Sequence, residues 1–206
     1  VGGEGYDCAF PGYVDGNGVT TQFNYLALND NERALMAYAD GLKKAGEISN
    51  IIVLINTSNA LQVDFLNDYD VDACLWVGGL GISGTNAVTD ILAGKVNPSG
   101  SLVDTYCYDN YSSAAMQNFV PTTYLGYNGK NIPKHASTYM IYQEGIYVGY
   151  RYFDSFGVEP AYPFGFGLSY TDFAVHSAGV SLENSTVKVK ANVTNIGNAF
   201  SGAEVA

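Results

Sequence analysis

Val1-Gly2-Gly3-Glu4-Gly5-Tyr6-Asp7 is the stretch whose residue types and spacing suit chemistry. A carboxyl group set among glycines sits on backbone that is free to take positive φ and open to close approach by another molecule. Glu4 is therefore exposed, mobile and reachable. The ring of Tyr6 adds a stacking surface and Asp7 a second carboxylate. A movable acid, an aromatic wall and a charged neighbour are what sugar chemistry asks for. The same residues also suit an ordinary turn, because glycine punctuates turns everywhere. The rest of the chain decides between the two readings.

With 206 residues there is room for one sizeable α/β domain and part of another. A net charge of −11 with only nine Lys and Arg leaves no basic stripe for phosphates. Nucleic acid and anionic membrane surfaces are thereby disfavoured, and neutral polyols remain. No apolar run approaches the roughly 20 residues of a membrane helix. No signal peptide opens the chain, but residue 1 falls inside a motif, so export is left open. Abundant Tyr and Asn with little Lys lean towards an extracellular or cell-surface protein.

Cys8, Cys74 and Cys107 are an odd set without metal spacing, so no disulfide framework is implied. Cys74 lies in an apolar run and is expected in the core. His135 and His176 belong to no metal-binding pattern, so neither a structural metal nor a cofactor is expected.

The elements that must hold the glutamate loop come after it in the chain. Residues 8 to about 28 form a long loop without periodicity. Asn29 with Glu32 resembles a capping box, and Leu35, Tyr38, Ala39 and Leu42 recur at helical spacing up to Gly46. Ile51 to Ile55 has the unbroken apolar pattern of a strand covered on both faces. A short helix over Leu61 to Asn67, a strand over Asp72 to Val77, a helix over Thr85 to Leu92 and a strand over Ser101 to Tyr106 come next. This alternation predicts a mostly parallel sheet between helices, a three-layer α/β sandwich.

From about 107 to 144 the pattern gives way to a long irregular insertion. Tyr147 to Asp154 alternates aromatic and small residues like a strand, which would place Tyr147, Tyr150 and Tyr152 in the core rather than on a stacking platform. Pro163 to Thr171 is an aromatic and glycine-rich linker. Beyond it Val187, Val189, Ala191 and Val193 alternate with polar residues, as in a half-solvated antiparallel strand that opens a β-sandwich.

One signal competes. Gly79-Leu80-Gly81-Ile82-Ser83-Gly84 fits the dinucleotide fingerprint, follows a strand, precedes a helix and has Asp104 about twenty residues on. Against a dinucleotide, the turn is not the first strand-to-helix turn of the chain and its helix is short. A tight turn needs small residues whatever it binds.

Three further motifs settle the comparison: Asn97-Pro98-Ser99-Gly100-Ser101-Leu102, Glu144-Gly145-Ile146-Tyr147-Val148-Gly149-Tyr150-Arg151-Tyr152-Phe153 and Pro163-Phe164-Gly165-Phe166-Gly167-Leu168-Ser169-Tyr170-Thr171. Together they resemble the signatures of family 3 glycoside hydrolases, the β-glucosidase and β-xylosidase family. Val193-Thr194-Asn195-Ile196-Gly197-Asn198 with Ser201-Gly202-Ala203-Glu204-Val205 is similar to the opening of a fibronectin-III-like domain that follows in many members. The resemblance implies an α/β sandwich domain over 1–171, lacking its first strand, and a truncated fibronectin-III-like segment over 172–206.

By the same resemblance Glu4 is the acid/base, Tyr6 helps wall the leaving-group subsite and Asp7 positions the loop. The nucleophilic aspartate would lie in a (β/α)8 barrel outside this chain, the substrate would be a β-linked oligosaccharide or glycoside, and the isolated piece would be inactive. Two departures touch specificity. Cys8 stands where the family often has Arg, and Gly81-Ile82-Ser83-Gly84-Thr85 replaces a turn with two more polar groups. The other reading open at this point is a non-catalytic scaffold or carbohydrate-binding module.

Overall fold

The computed structural model describes residues 24–117, 122–123 and 138–199. They fall into two compact units, one within Val1–Gly79 and Val103–Phe164, the other within Leu80–Leu102 and Gly165–Ala206.

The first unit opens with α1 (Asp30–Lys44). The capping box expected from the sequence is formed. Glu32 N donates to Asn29 Oδ1 at 3.0 Å and Asn29 N donates to Glu32 Oε2 at 2.9 Å, satisfying two helix-end donors. Asp30 and Glu32 in the first turn and Lys43 and Lys44 in the last complement the helix dipole. Strand β1 (Ile52–Ile55) pairs in parallel with β2 (Ala73–Trp76), Ile52 opposite Ala73 and Ile55 opposite Trp76. Helix α2 (Phe65–Asp68) lies on the crossover between them. Phe65 and Val63 are each 1% exposed and centre a core with Leu26, Ile51, Ile55 and Leu61. Parallel strands joined through a helix give the expected α/β class.

Several local expectations are corrected. Helix α2 begins only at Phe65, because the chain from Leu61 to Val63 is bonded elsewhere: Gln62 N donates to Leu26 O and Val63 N to Cys107 O. Strand β1 is not covered on both faces: Ile52 and Leu54, which share a face, are 49% and 44% exposed. Cys74 is exposed rather than in the core. Residues 101–106 form no strand of the parallel sheet. Tyr106 instead exchanges two backbone hydrogen bonds with Tyr162 in an isolated antiparallel bridge.

The stretch expected as an irregular insertion carries small elements: a 3-10 turn (Asn110–Ser112), α4 (Ala114–Gln117) and the two-residue strands β3 (Thr122–Thr123) and β4 (Thr138–Tyr139), paired antiparallel. The largest correction is α5 (Tyr150–Phe156), a helix where aromatic alternation suggested a strand. Gly149 at φ 59° starts it and Gly157 at φ 63° closes it in the left-handed conformation that favours glycine. Within it the rings of Tyr152 and Phe156 meet at 5.2 Å, the four-residue spacing of one helix face. Tyr147 and Tyr150 are accordingly exposed rather than buried.

The second unit contains α3 (Gly84–Leu92) and a hairpin of β5 (Phe173–Glu183) and β6 (Thr186–Asn195). Asn184 and Ser185 both take positive φ, 48° and 65°, as a two-residue turn of the primed type requires. A bulge between Ser177 and Gly179 shifts the register. The expected alternation is present: Val175 with Val193, Val180 with Val189 and Leu182 with Val187 form cross-strand pairs on one face. Those residues are exposed, so this apolar face is uncovered within the described chain.

Candidate functional site

Glu4, Tyr6 and Asp7, and Cys8 after them, lie outside the described residues. Within the described residues, the turn at the carboxyl end of β1 lies on the side of an open α/β sheet where ligands bind. There Asn59 N donates to the hydroxyl of buried Thr57 at 3.1 Å, and Trp76 Nε1 donates to Thr57 O at 3.1 Å, holding the turn against β2. Gln62 Oε1 accepts from Asn24 Nδ2 at 3.3 Å and from Asn110 N at 3.2 Å, tying three separate segments together.

These segments border a cavity of about 360 Å³ in the first unit. Leu26, Ala60, Cys107, Met116 and Phe153 give it apolar walls, and Asn59, Asp104, Thr105 and Asn110 contribute polar groups. Its volume is in the range of small-molecule sites. Asp104 Oδ1 accepts from Thr105 N at 2.9 Å. The Thr105 hydroxyl and Asn110 Nδ2 are buried and meet no hydrogen-bond partner among the described residues. Burial pushes the Cys107 thiol up, against a hydrogen bond with Ser112 that pulls it down, so it stays protonated near neutral pH and is a poor nucleophile. Burial, with the charge of Asp104 and the nearby Cys74, pushes the Tyr106 phenol up to about 12.

Of these residues the sequence singles out Asp104, Cys107 and, within a family motif, Phe153, none of them as part of a cavity. A cavity assembled from residues 26, 59–60, 104–116 and 148–153 has no local signature. Asp104 is the one carboxylate among its described lining residues, so the cavity by itself does not hold the carboxyl pair of a glycosidase. Among the described residues no group of His, Cys, Asp or Glu is placed to hold a metal ion. None of their helices is long and apolar enough to cross a membrane.

The glycine-rich turn after β2 has local explanations. Gly78 and Gly81 take φ of 53° and 61°, and a Cβ on Gly84 would lie 3.2 Å from Leu80 Cβ. Ser83, which precedes α3, makes no side-chain capping hydrogen bond among the described residues.

Residues 2–150 match the model of the glycosyl hydrolase family 3 C-terminal domain. The chain belongs to glycosyl hydrolase family 3. This family 3 chain is 34% identical to a β-glucosidase of Ruminococcus albus over 88% of its own length and 17% of the relative's. It is 36% identical to β-glucosidase B of Emericella nidulans, over 76% of its length and 18% of the relative's. Among solved structures, β-glucosidase 3B of Thermotoga neapolitana in complex with glucose superposes with a TM-score of 0.65 at 35% identity, covering 84% of this chain and 22% of that one. A β-glucosidase of Paenibacillus barengoltzii superposes with a TM-score of 0.67 at 32% identity, over 85% and 18%. The family 3 chain therefore spans about a fifth of the length of the relatives it matches.

Proposed function

We propose that this family 3 chain is the part of a retaining, exo-acting β-glycosidase, of the β-glucosidase type, that supplies the acid/base. Glu4 is the acid/base, Tyr6 walls the leaving-group subsite and Asp7 positions the loop. The observation that carries this reading is the extent of the family match, which begins at residue 2 and takes in Gly3-Glu4-Gly5. Relatives named as β-glucosidases support the substrate class, a β-linked glycoside. The nucleophilic aspartate comes from a (β/α)8 barrel elsewhere in the protein.

Retaining glycosidases set two carboxyl groups about 5 to 5.5 Å apart. One attacks the anomeric carbon while the other protonates the departing oxygen and later deprotonates water. The acid must keep its proton near neutral pH, which requires a rise from about 4.3 towards 6 by burial or a neighbouring negative charge. A glutamate on a bare glycine loop has neither. The barrel, once docked over the sugar, supplies both, and the separated chain is inactive.

The test is Glu4→Ala in the full-length protein. Turnover of glycosides with poor leaving groups falls steeply, activated aryl glycosides lose much less, and azide restores rate by capturing the glycosyl intermediate. Equal losses with no azide effect remove Glu4 from the role. A second reading, a scaffold or carbohydrate-binding module, draws on the cavity of the first unit, with its apolar walls and polar groups. It requires sugar binding by the chain together with unchanged activity of Glu4→Ala.

A further inference from the structure

Helix α5 and the turn before it carry a surface that the proposed chemistry does not use. Tyr142 is 72% exposed and Phe156 59%, with Ile146 and Phe164 also open to solvent. Two ring contacts hold part of this surface in place. Tyr147 N donates to Glu144 O at 2.9 Å, and the Tyr147 ring meets Phe156 edge-on at 5.2 Å. The rings of Tyr150 and Phe164 lie 5.2 Å apart. Arg151 Nε donates to Ile146 O at 2.7 Å, and its guanidinium sits 5.6 Å from the Tyr150 ring centre. Clustered exposed aromatics on a folded scaffold mark interaction surfaces, and rings already held in place lose little entropy on docking.

We propose that this aromatic face is the surface on which the catalytic domain of the same protein docks. The inference rests on the function proposed above, which places the barrel in the same polypeptide. Three observations choose this occupant. The relatives are about five times longer than the matched part, so most of each lies beyond the matched region. A tethered domain reaches the face at an effective concentration of about millimolar. The charges between 139 and 156 are only Glu144, Arg151 and Asp154, with Arg151 turned onto its own backbone and one oxygen of Glu144 buried, so the face suits an uncharged protein surface. A second copy would bring together two chains of net charge −11, which repel. A sugar needs open ring faces, but Tyr150 is flanked by Phe164 and Arg151, and the Tyr147 ring is held against Phe156.

Hydroxyl-radical footprinting of the full-length protein tests this, with Tyr38 of α1, 66% exposed, as the internal control. Tyr142 and Phe156 are expected to oxidise severalfold more slowly than their exposure in this chain dictates, while Tyr38 keeps the rate of an open tyrosine. Ile146→Asp should bring Tyr142 up to the rate of Tyr38. Equal rates for Tyr142 and Tyr38 in the unaltered protein overturn the proposal. Protection that appears only as protein concentration rises, or only with saturating β-glycoside, also overturns it, in favour of a second copy or a sugar. The activity profile of Glu4→Ala is read separately, so a failed acid/base assignment and a failed docking face are told apart.

Discussion

Asn97 and Ser169, 72 residues apart in the chain, are joined side chain to side chain by two hydrogen bonds. Asn97 Nδ2 donates to Ser169 Oγ at 2.9 Å, and the Ser169 hydroxyl donates to Asn97 Oδ1 at 3.1 Å. The same Oδ1 accepts from Tyr170 N at 2.8 Å, and Ser169 Oγ accepts from Thr171 N at 3.2 Å. Thr171 then donates to Asn195 Oδ1 at 2.7 Å. Two sequence motifs and the end of β6 are thus tied through one buried amide.

Asn97→Ala should therefore cost about 1 to 1.5 kcal/mol, because it removes the buried amide that binds the Ser169 hydroxyl and the Tyr170 N–H, two groups on residues themselves open to solvent. Urea unfolding measures it. A loss below about 0.5 kcal/mol would mean that solvent reaches these groups and replaces the amide.

Gly167 should not tolerate alanine, although its backbone is not left-handed. A Cβ there would lie 2.7 Å from the carbonyl oxygen of Gly100, a backbone atom that cannot swing aside. Gly167→Ala is expected to lower stability by about 1 to 3 kcal/mol, as overpacking does. Gly100→Ala, with nothing within 4 Å of its Cβ, serves as the neutral comparison in the same thermal melt.

The acid limit of the first unit should depend on Asp72. Its Oδ2 accepts from Lys43 Nζ at 2.7 Å and from Ile51 N at 2.7 Å, and the Lys43 contact followed by the Ile51 N–H holds the carboxyl below its usual 3.8. A group whose pKa is depressed on folding stabilises above its unfolded value and loses that contribution as pH falls through the folded one. Asp72→Asn should therefore be less stable than the parent near pH 6, with the gap closing below 3.8. Denaturant midpoints across pH 2 to 7 check this. A gap independent of pH would assign Asp72 only a neutral hydrogen-bonding part.

Where neighbours in sequence are neighbours in space, the chain is legible. Asn29 and Glu32 mark the start of α1 because a capping box is a local object. The alternation at Val187, Val189 and Val193 marks β6 for the same reason. The Tyr147–Asp154 stretch misleads because aromatics at alternate positions satisfy a strand while also meeting across a helical turn. The flanking Gly149 and Gly157 are the better guide. Residues 101–106 have the composition of a strand, but their partner lies at 162–166, and composition does not name a partner. The cavity is less legible still, because its wall is gathered from segments as far apart as Leu26 and Phe153. The acid/base assignment at Glu4 comes from motif resemblance and belongs with the activity experiment.

The valine row of the β5–β6 ribbon also bears on handling. Two strands of 11 and 10 residues present an oily stripe backed by Lys188 and Lys190 and clasped at the tip by the Glu183–Lys188 ion pair. The net charge of −11 keeps copies apart at low ionic strength, and salt removes that repulsion while strengthening the pull between stripes. Concentrated stocks in high salt will cloud first through this hairpin, and dilute, low-salt storage will keep them clear.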